Sequence, residues 1–387
     1  MPVRSAAPAH DGLTAGVQRA PCELLVVGAS FAGLACARAA ALAGLRVTVL
    51  EKKAAAGDKL HTTGIIVKDA VDSMPWLQEV PPALVRRIEG VRLYAPNLRQ
   101  VDLQAPGYYF WATDAPGLLD WMVDSVRKLG VEVRLGTLFD QATRHGDFWR
   151  ARVTGGEVLE ARYLVGADGP HSRVAKAMGL SQNQHFLFGV EHEYRLATLA
   201  PDRLHCFIDK QLAPGYIGWA LDGVGVAQVG LARRVPHAGA GPGERNVPID
   251  AFLRKIAPVV QVQGKPAAVR AGMIPCGGLL ARVAMPGALL VGDAAGMVSP
   301  VTAGGIHTAL RHGERAGEGV AAFLAGRAQD PAGWLVRGYP QFRSKRMLRW
   351  AFDHFQSDWV FNTLLGTAPM RRAAELVYFH RKGGVQP

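Results

Sequence analysis

The stretch ELLVVGASFAGLACARAAALAGLRVTVLE, residues 23–51, decides the fold. An apolar run rich in Leu and Val leads at once into a glycine-punctuated turn. An Ala-rich, helix-favouring segment and a second β-branched run follow. Together they predict a strand–turn–helix–strand unit of the kind that builds a parallel sheet.

The turn in this unit has the spacing of a dinucleotide fingerprint, Gly28-x-Ser30-x-x-Gly33. Gly28 permits the tight turn, Gly33 lets the helix pack closely on the strand, and the small Ser30 lets backbone approach a pyrophosphate at the helix N-terminus. Glu51 ends the second strand, where it can accept hydrogen bonds from a ribose. The alternative is an ordinary βα turn without a ligand. The candidate cofactor contacts in this stretch are Gly28, Ser30, Phe31, Ala32, Gly33, Glu51 and Lys52.

Length and composition indicate an ordinary globular protein of roughly two or three domains, because nearly half of the 387 residues are apolar and a fifth are charged. No apolar run approaches the ~18 residues that a membrane span needs. The first twenty residues lack the apolar core of a signal peptide, so we expect a flexible N-terminal tail over 1–21 and a cytoplasmic location. The four scattered cysteines predict neither a zinc site nor a disulfide framework.

The formal charge of +12 indicates an anionic partner. No nucleic-acid-binding motif is present, and the basic residues are dispersed except near the C-terminus. A phosphate-bearing substrate or an anionic membrane surface is therefore the favoured interpretation, and nucleic acid is not expected as a partner. The oligomeric state is left open by the sequence.

Two further glycine–aspartate turns follow apolar strands, at Asp168 in GADG and at Asp293 in GDAAG. Each places an acid at the carboxyl end of a strand, where α/β sheets bind ligands. Either acid alone could equally be the N-cap of the next helix. The three turns in this order are far harder to explain without a nucleotide.

Taken together, VVGASFAGL…VLEK, LVGADGPHSRV and LLVGDAAGMVSPVTAGGIHTAL resemble the FAD-dependent oxidoreductases of the para-hydroxybenzoate hydroxylase fold. The last stretch is most similar to the geranylgeranyl reductases, and the resemblance covers residues 22 to 330. It implies that the fingerprint and Glu51 hold the ADP half of FAD, that Asp293 binds the ribityl chain, and that Asp168 supports the pyrophosphate region. A helix starting near Gly304-Gly305 would aim its N–H groups at the flavin. The cofactor contacts added by this region are Asp168, Gly292, Asp293, Gly296, Gly304, Gly305 and Ile306.

The expected fold class is α/β, a Rossmann-like FAD-binding domain with an inserted antiparallel β-sheet substrate domain and a helical C-terminal tail. We expect the FAD-binding domain over 22–80, 104–181 and 276–330, because the nucleotide-type turns lie there. Alternating apolar stretches such as VEHEYRLATL and GVAQVGLAR place the substrate domain at 81–103 and 182–275. The loop HAGAGPGER interrupts this sheet, and residues 331–387 form the helical C-terminal region.

Two segments bear on the reaction. Tyr216 and Trp219 are similar to the aromatic strand that lines the substrate cavity in geranylgeranyl reductases, although the family's Phe-Pro-Lys continuation is replaced here by 220–222, Ala-Leu-Asp. The alternative is that both rings only pack the sheet. The loop containing His61 and Thr63 has Thr-Gly where reductase relatives carry Cys-Gly, so a mechanism depending on that cysteine is not implied. His61 could donate to the flavin, protonate a substrate carbon, carry a covalent flavin bond or face solvent.

Three functions remain open on this resemblance. The first is an FAD-dependent reductase that takes electrons from NAD(P)H or a reduced carrier and reduces a carbon–carbon double bond of a hydrophobic, isoprenoid or polyketide-like substrate. The second is an FAD-dependent monooxygenase acting on an aromatic or lipophilic substrate. The third is a non-redox flavoprotein such as a cyclase.

The C-terminal region interleaves basic residues with aromatic ones between Trp334 and Lys382. This pattern is typical of segments that lie in the interface of an anionic membrane, so peripheral membrane contact is a hypothesis. The alternative is that the rings pack on the FAD domain or cap the substrate cavity.

Overall fold

The computed structural model describes residues 21–236 and 246–379. Residues 1–20 of the expected N-terminal tail, the loop HAGAGPGER at 237–245 and the last residues of the C-terminal region lie outside the described residues. The fold is α/β, as predicted, with a sheet whose centre is parallel, a large antiparallel sheet and a helical C-terminal region.

The first sheet has eight strands, and its parallel centre is built from the predicted strand–turn–helix–strand unit. Strand β1 pairs in parallel with β2 on one side and with β11 on the other, and β20 continues the sheet beyond β11. The antiparallel hairpin β9–β10 extends from β11. The strands are β1 (Cys22–Val27), β2 (Val47–Leu50), β8 (Glu132–Arg134), β9 (Phe139–His145), β10 (Phe148–Val153), β11 (Val158–Gly166), β19 (Ala284–Met285) and β20 (Ala288–Leu290).

The second sheet has seven strands in the order β18-β12-β16-β15-β14-β5-β6, and all neighbours except β14 and β5 are antiparallel. Two smaller sheets accompany it, β3-β7-β4 and β13-β17. Their strands are β3 (Ile65–Val67), β4 (Val85–Ile88), β5 (Gly90–Tyr94), β6 (Gln100–Leu103), β7 (Phe110–Thr113), β12 (Phe186–Tyr194), β13 (Leu196–Thr198), β14 (Arg203–Phe207), β15 (Gly218–Asp222), β16 (Ala227–Arg234), β17 (Gln261–Gln263) and β18 (Ala268–Pro275).

Strands β5 and β6, from the segment 81–103 that was expected in the substrate domain, pair as a hairpin and join the second sheet. Strand β4, from the same predicted segment, pairs instead with β7, which lies in the range expected for the FAD-binding domain. The division into domains at the boundaries given above is a proposal.

Ten α-helices lie in the described ranges: α1 (Phe31–Leu42), α2 (Lys68–Ser73), α3 (Ala115–Lys128), α4 (Arg173–Ala177), α5 (Ile249–Ile256), α6 (Ile306–Leu324), α7 (Pro331–Trp334), α8 (Arg343–Phe355), α9 (Asp358–Leu364) and α10 (Ala368–Phe379). Short 3-10 helices occupy Pro75–Glu79, Pro82–Leu84, Gly292–Ala295 and Val336–Gly338. None of the helices in the described ranges combines the length and the hydropathy that a bilayer crossing requires.

Helix α1 is buried on most sides because it packs between the first sheet and α6. The contact is close where α6 carries glycines: a Cβ on Gly313 would lie 2.2 Å from the Ala32 carbonyl oxygen, and one on Gly317 would lie 2.2 Å from that of Cys36. This packing fixes the start of α6 relative to the turn at Gly28, so the two predicted cofactor-binding regions are held together.

The C-terminal segment, residues 331–379, packs with α9 and α10 on the β5–β6–β14 part of the second sheet. Phe379 is fully buried and forms edge-on ring contacts with Tyr108. Backbone N–H groups of the sheet region donate to side chains of the segment, Asn97 to Asn362 at 2.9 Å and Lys210 to Asp358 at 2.8 Å. The segment is therefore part of the folded body of the protein.

Candidate active site

A single cavity of about 900 Å³ joins the nucleotide-type turns of the first sheet to the face of the second sheet. Its walls come from the carboxyl ends of the first-sheet strands, from strands β12, β14, β15 and β18, and from helices α8 to α10. Ligand cavities of α/β proteins form at such strand ends. The cavity is large enough for a cofactor and a substrate to meet.

The fingerprint turn lies at one end of this cavity. Gly28 has φ +108°, and a Cβ there would lie 2.3 Å from the Ala167 carbonyl oxygen, so only glycine fits this crossing of β1 and β11. Ser30 caps α1 by accepting from the Gly33 N–H at 3.2 Å. Gly28, Ser30, Phe31, Ala32, Glu51 and Lys52 line the cavity, whereas Gly33 serves the packing of α1 behind it.

Glu51 is 6% exposed, and its carboxylate closes the turn. One oxygen accepts from the Ala29 N–H at 2.9 Å and the other from the Lys53 N–H at 3.0 Å. Each oxygen retains a lone pair for a further donor, which is what a ribose hydroxyl requires. The acceptor oxygens at this end therefore fit the ADP half of FAD.

Asp168 lines the cavity, but its carboxylate is mainly engaged by its own turn. It accepts from the Ser172 hydroxyl at 2.6 Å and from the backbone N–H groups of Arg173 at 2.7 Å and Val174 at 3.1 Å. These bonds are those of a residue that stabilises the start of the following helix. A contribution of Asp168 to the pyrophosphate region remains a prediction, and the capping alternative is the one that the hydrogen bonds describe.

Asp293 and the start of α6 form the other half of the cofactor end. Burial raises the pKa of the Asp293 carboxyl to about 6. Helix α6 begins at Ile306 without a side-chain cap, and Gly304, Gly305 and Ile306 all line the cavity. The free N–H groups at an uncapped helix N-terminus stabilise a nearby negative group. Uncapped donors beside the partly buried acceptor Asp293 fit the polar edge and the polyol chain of a flavin nucleotide.

Of the two other predicted glycines, one lines the cavity and the other serves only the shape of its turn. Gly292 lines the cavity next to Ala32. Gly296 has φ +74°, and a Cβ on it would lie 2.3 Å from the Gly278 carbonyl oxygen. It therefore shapes the turn without facing the cavity.

One row of paired residues crosses the second sheet and faces the cavity. The pairing register places it in the order Leu93, Cys206, Trp219, Gly230, Glu191 and Arg270, on strands β5, β14, β15, β16, β12 and β18. The row changes from apolar at β5 to charged at β18. The cavity therefore has a polar side and an apolar side, both fixed by strand register.

Glu191 is the centre of the polar side and is 4% exposed. Its Oε2 accepts from the Thr63 hydroxyl at 2.6 Å and from Trp219 Nε1 at 2.7 Å, and its Oε1 accepts from Gln228 Nε2 at 3.3 Å. Burial raises the pKa of this carboxyl, and the donors oppose the shift. Thr63 thus contacts a buried acid, and the predicted loop is tied to the second sheet through it.

His61 lies on the cavity wall, against strand β18. A Cβ on Gly272 would lie 2.3 Å from the imidazole ring, so the ring occupies the space that glycine leaves free. Desolvation lowers the pKa of His61, and nearby Lys53, Lys52 and Arg270 lower it further. The lowered pKa favours the neutral imidazole, in which one ring nitrogen donates a hydrogen bond and the other accepts one.

Tyr216 and Trp219 both line the cavity, at the places predicted for substrate contacts. The Tyr216 hydroxyl donates to the Thr302 carbonyl oxygen at 2.7 Å, which links the second sheet to the loop before α6. The Trp219 ring lies across Gly230, where a Cβ would come within 2.2 Å of it. Asp222, in place of the family's lysine, forms an ion pair with Arg86 at 2.7 Å.

Sequence reasoning missed the acids of β12, whereas a cavity wall contributed by the C-terminal segment was one of its alternatives for that region. Glu191 and Glu193 stand in VEHEY, where alternation cannot tell whether the charged side faces water or a cavity. Glu193 pairs with Arg270 next to Glu191. The apolar wall adds Leu348, Phe352, Phe361, Leu365, Met370, Leu376 and Val377, whose signal is the spacing of apolar residues in α8 to α10.

Comparison with known proteins agrees with this geometry. The profile of a family described as "FAD binding domain" matches residues 21–347. Digeranylgeranylglycerophospholipid reductase 2 of Methanopyrus kandleri is 29% identical over 333 residues, which cover 81% of this chain and 80% of that protein. Geranylgeranyl diphosphate reductase of Rhodobacter capsulatus is 26% identical over 352 residues, covering 86% and 84%. The solved structure of a geranylgeranyl bacteriochlorophyll reductase-like protein from Thermoplasma acidophilum superimposes with a TM-score of 0.80 at 18% identity, covering 94% and 97% of the two chains.

Proposed function

Since the chain belongs to the FAD binding domain family and is an FAD-dependent oxidoreductase, we propose that it reduces carbon–carbon double bonds of a hydrophobic, isoprenoid-type substrate. The named reductases that it resembles act on geranylgeranyl compounds, and the similarity extends over most of each chain. NAD(P)H or a reduced carrier is the proposed electron donor, and the cytoplasm the proposed location.

The observation that carries this proposal is the polarity of the row across the second sheet. Its charged end, Glu191 and Arg270, lies on the same side of the cavity as His61, whereas its apolar end, Leu93 and Cys206, packs against α9 and α10. A long hydrocarbon binds where it removes apolar surface from water. The substrate chain therefore lies toward the C-terminal segment, with a reacting double bond near the polar side.

Reduction of a double bond adds a hydride to one carbon and a proton to the other. When bound, FAD supplies the hydride chemistry. Glu191 is the proposed proton source, because burial raises the pKa of its carboxyl and Oε2 already accepts two short hydrogen bonds. The proton is then held on Oε1, which accepts a longer hydrogen bond from Gln228 Nε2 at 3.3 Å. Thr63 and Trp219 keep the carboxyl facing the cavity.

The test is an anaerobic reaction of chemically reduced protein with a geranylgeranyl lipid, followed by mass spectrometry of the product. A gain of two hydrogens for each double bond supports reduction. In a parallel reaction in air, gain of an oxygen atom by the lipid would indicate monooxygenation instead of reduction, and a product that is an isomer of unchanged mass would indicate cyclisation. Protein from which FAD has been removed is the control, and it should leave the lipid unchanged.

A further inference from the structure

The C-terminal segment exposes large apolar side chains on its outer side while its inner side lines the cavity. Among the described residues, exposed Trp and Phe side chains occur only from Trp334 onward. Trp350 is 56% exposed, and Phe355 and Trp359 are each 71% exposed. Met347 on α8 is 70% exposed. Single exposed apolar residues are ordinary, but a concentration on consecutive helices marks an interaction surface.

The exposed rings of α8 are arranged as one cluster. Trp350 and Phe355 are in edge-on contact with their centroids 5.8 Å apart, and His354 packs against Trp350 at 4.8 Å. None of these three rings lines the cavity. The cluster therefore contributes nothing to the active-site wall and faces outward.

Basic side chains accompany the rings. Residues 334–379 contain seven Lys or Arg and three Asp or Glu. Arg343, Arg346 and Arg372 are exposed, and Arg343 and Arg346 lie on the same helix as Trp350. Exposed rings beside cationic side chains fit a surface that is apolar below and anionic above, which is the interface of a bilayer with acidic headgroups.

The cavity reaches this surface. Leu348 on α8 and Leu376 on α10 both line the cavity, and they are 46% and 52% exposed. Leu348 follows Met347 in the chain, so the mouth and the outer apolar residues are continuous on α8. An apolar substrate could pass between α8 and α10 without crossing water.

We infer that the outer side of α8 and α9 docks on an anionic lipid bilayer and that the lipid substrate enters the cavity from it between Leu348 and Leu376. A second copy of the chain fits less well, because a two-fold contact through this surface would set its positive charges against each other. The lipid-entry part rests on the proposed function, whereas the docking part does not.

The docking test uses the full-length, FAD-loaded protein and vesicles of phosphatidylglycerol mixed with phosphatidylcholine, compared with pure phosphatidylcholine. Binding is expected on the anionic vesicles only, and it should decrease with added salt. Arg343→Gln, Arg346→Gln and Arg372→Gln should each weaken it about fivefold, and the three together by ~100-fold.

A second variant tests the rings. Trp350→Ser, Phe355→Ser and Trp359→Ser combined should weaken vesicle binding at least about tenfold. The control variant removes three exposed apolar side chains elsewhere on the protein, by Leu42→Ser, Val158→Ser and Leu196→Ser combined. It should bind vesicles as the wild type does. Bound FAD per chain and the free energy of unfolding should be the same in both variants, which separates lost docking from misfolding.

Equal binding by the ring variant and its control would overturn the inference. The inference would also be overturned if the wild-type protein did not bind vesicles but formed a dimer in solution that the ring substitutions dissociate. If docking is found but no lipid is reduced, the proposed function fails and the docking surface stands. If the ring variant reduces lipid in detergent at the wild-type rate but does not reduce lipid in vesicles, both the proposed function and the docking surface are supported.

Discussion

Asp293→Asn should change the stability of the apoprotein and the affinity for FAD in opposite directions. In the folded apoprotein, burial raises the pKa of Asp293 from 3.8 to about 6. The folded state therefore binds more protons than the unfolded state between these values, so the free energy of unfolding falls as the pH rises through this window. A shift of about two units corresponds to about 3 kcal/mol at most.

Asparagine carries no charge, so the variant does not lose stability by holding an ionised carboxylate in the folded apoprotein at high pH. The apoprotein variant should be up to about 3 kcal/mol more stable than wild type at ~pH 8, and the two should be nearly equal at ~pH 4. FAD should bind roughly 10- to 150-fold more weakly, because a charge-assisted hydrogen bond of about 1.5–3 kcal/mol is lost.

Urea unfolding of the apoproteins at both pH values and FAD titration by fluorescence measure the two effects. Asp124→Asn is the matched control, since Asp124 has an exposed side chain on α3 and should change neither quantity appreciably. A variant no more stable than wild type at the higher pH, or one with unchanged FAD affinity, would refute the role given to Asp293.

Three further predictions concern the substrate side. Glu191→Gln should abolish the pH dependence of double-bond reduction and slow it, with FAD affinity unchanged; a rate profile like that of the wild type would remove Glu191 as proton source. Gly230→Ala would bring a methyl group 2.2 Å from the Trp219 ring, so we expect a loss of about 1–3 kcal/mol in stability and altered tryptophan fluorescence, whereas Gly333→Ala, with nothing within 4 Å, should be tolerated. His61→Ala should change the flavin spectrum or reduction potential more than the stability, and acid precipitation of wild-type protein shows whether FAD remains covalently attached; an unchanged spectrum and potential would place His61 outside the cofactor's surroundings.

The nucleotide end of the cavity could be predicted from the sequence because its determinants are local. Gly28, Ser30 and Gly33 act within one turn of chain, and their roles follow from backbone geometry and helix ends. The same locality leaves two interpretations at Asp168, since a capping acid and a ligand-binding acid have the same sequence pattern. The structure adds that the carboxylate accepts from Ser172 and from the backbone at the start of the next helix.

The substrate side could not be predicted to the same depth, because it depends on strand register. Glu191, Trp219 and Arg270 are distant in sequence, and only the pairing of four strands puts them in one row. Alternation in β12 shows two faces but does not say which one meets a cavity. Similarly, apolar spacing in α8 could not tell which residues line the cavity and which remain outside.

The seating of His61 on Gly272 has a mechanical consequence. The histidine belongs to the loop that follows the first sheet's β2, whereas the glycine belongs to the second sheet's β18. A ring held in a gap between neighbouring side chains resists sliding in the plane of the sheet, but it can be lifted away from it. The seat of the ring and the hydrogen bond from Thr63 to Glu191 therefore fix the register of this loop along the second sheet.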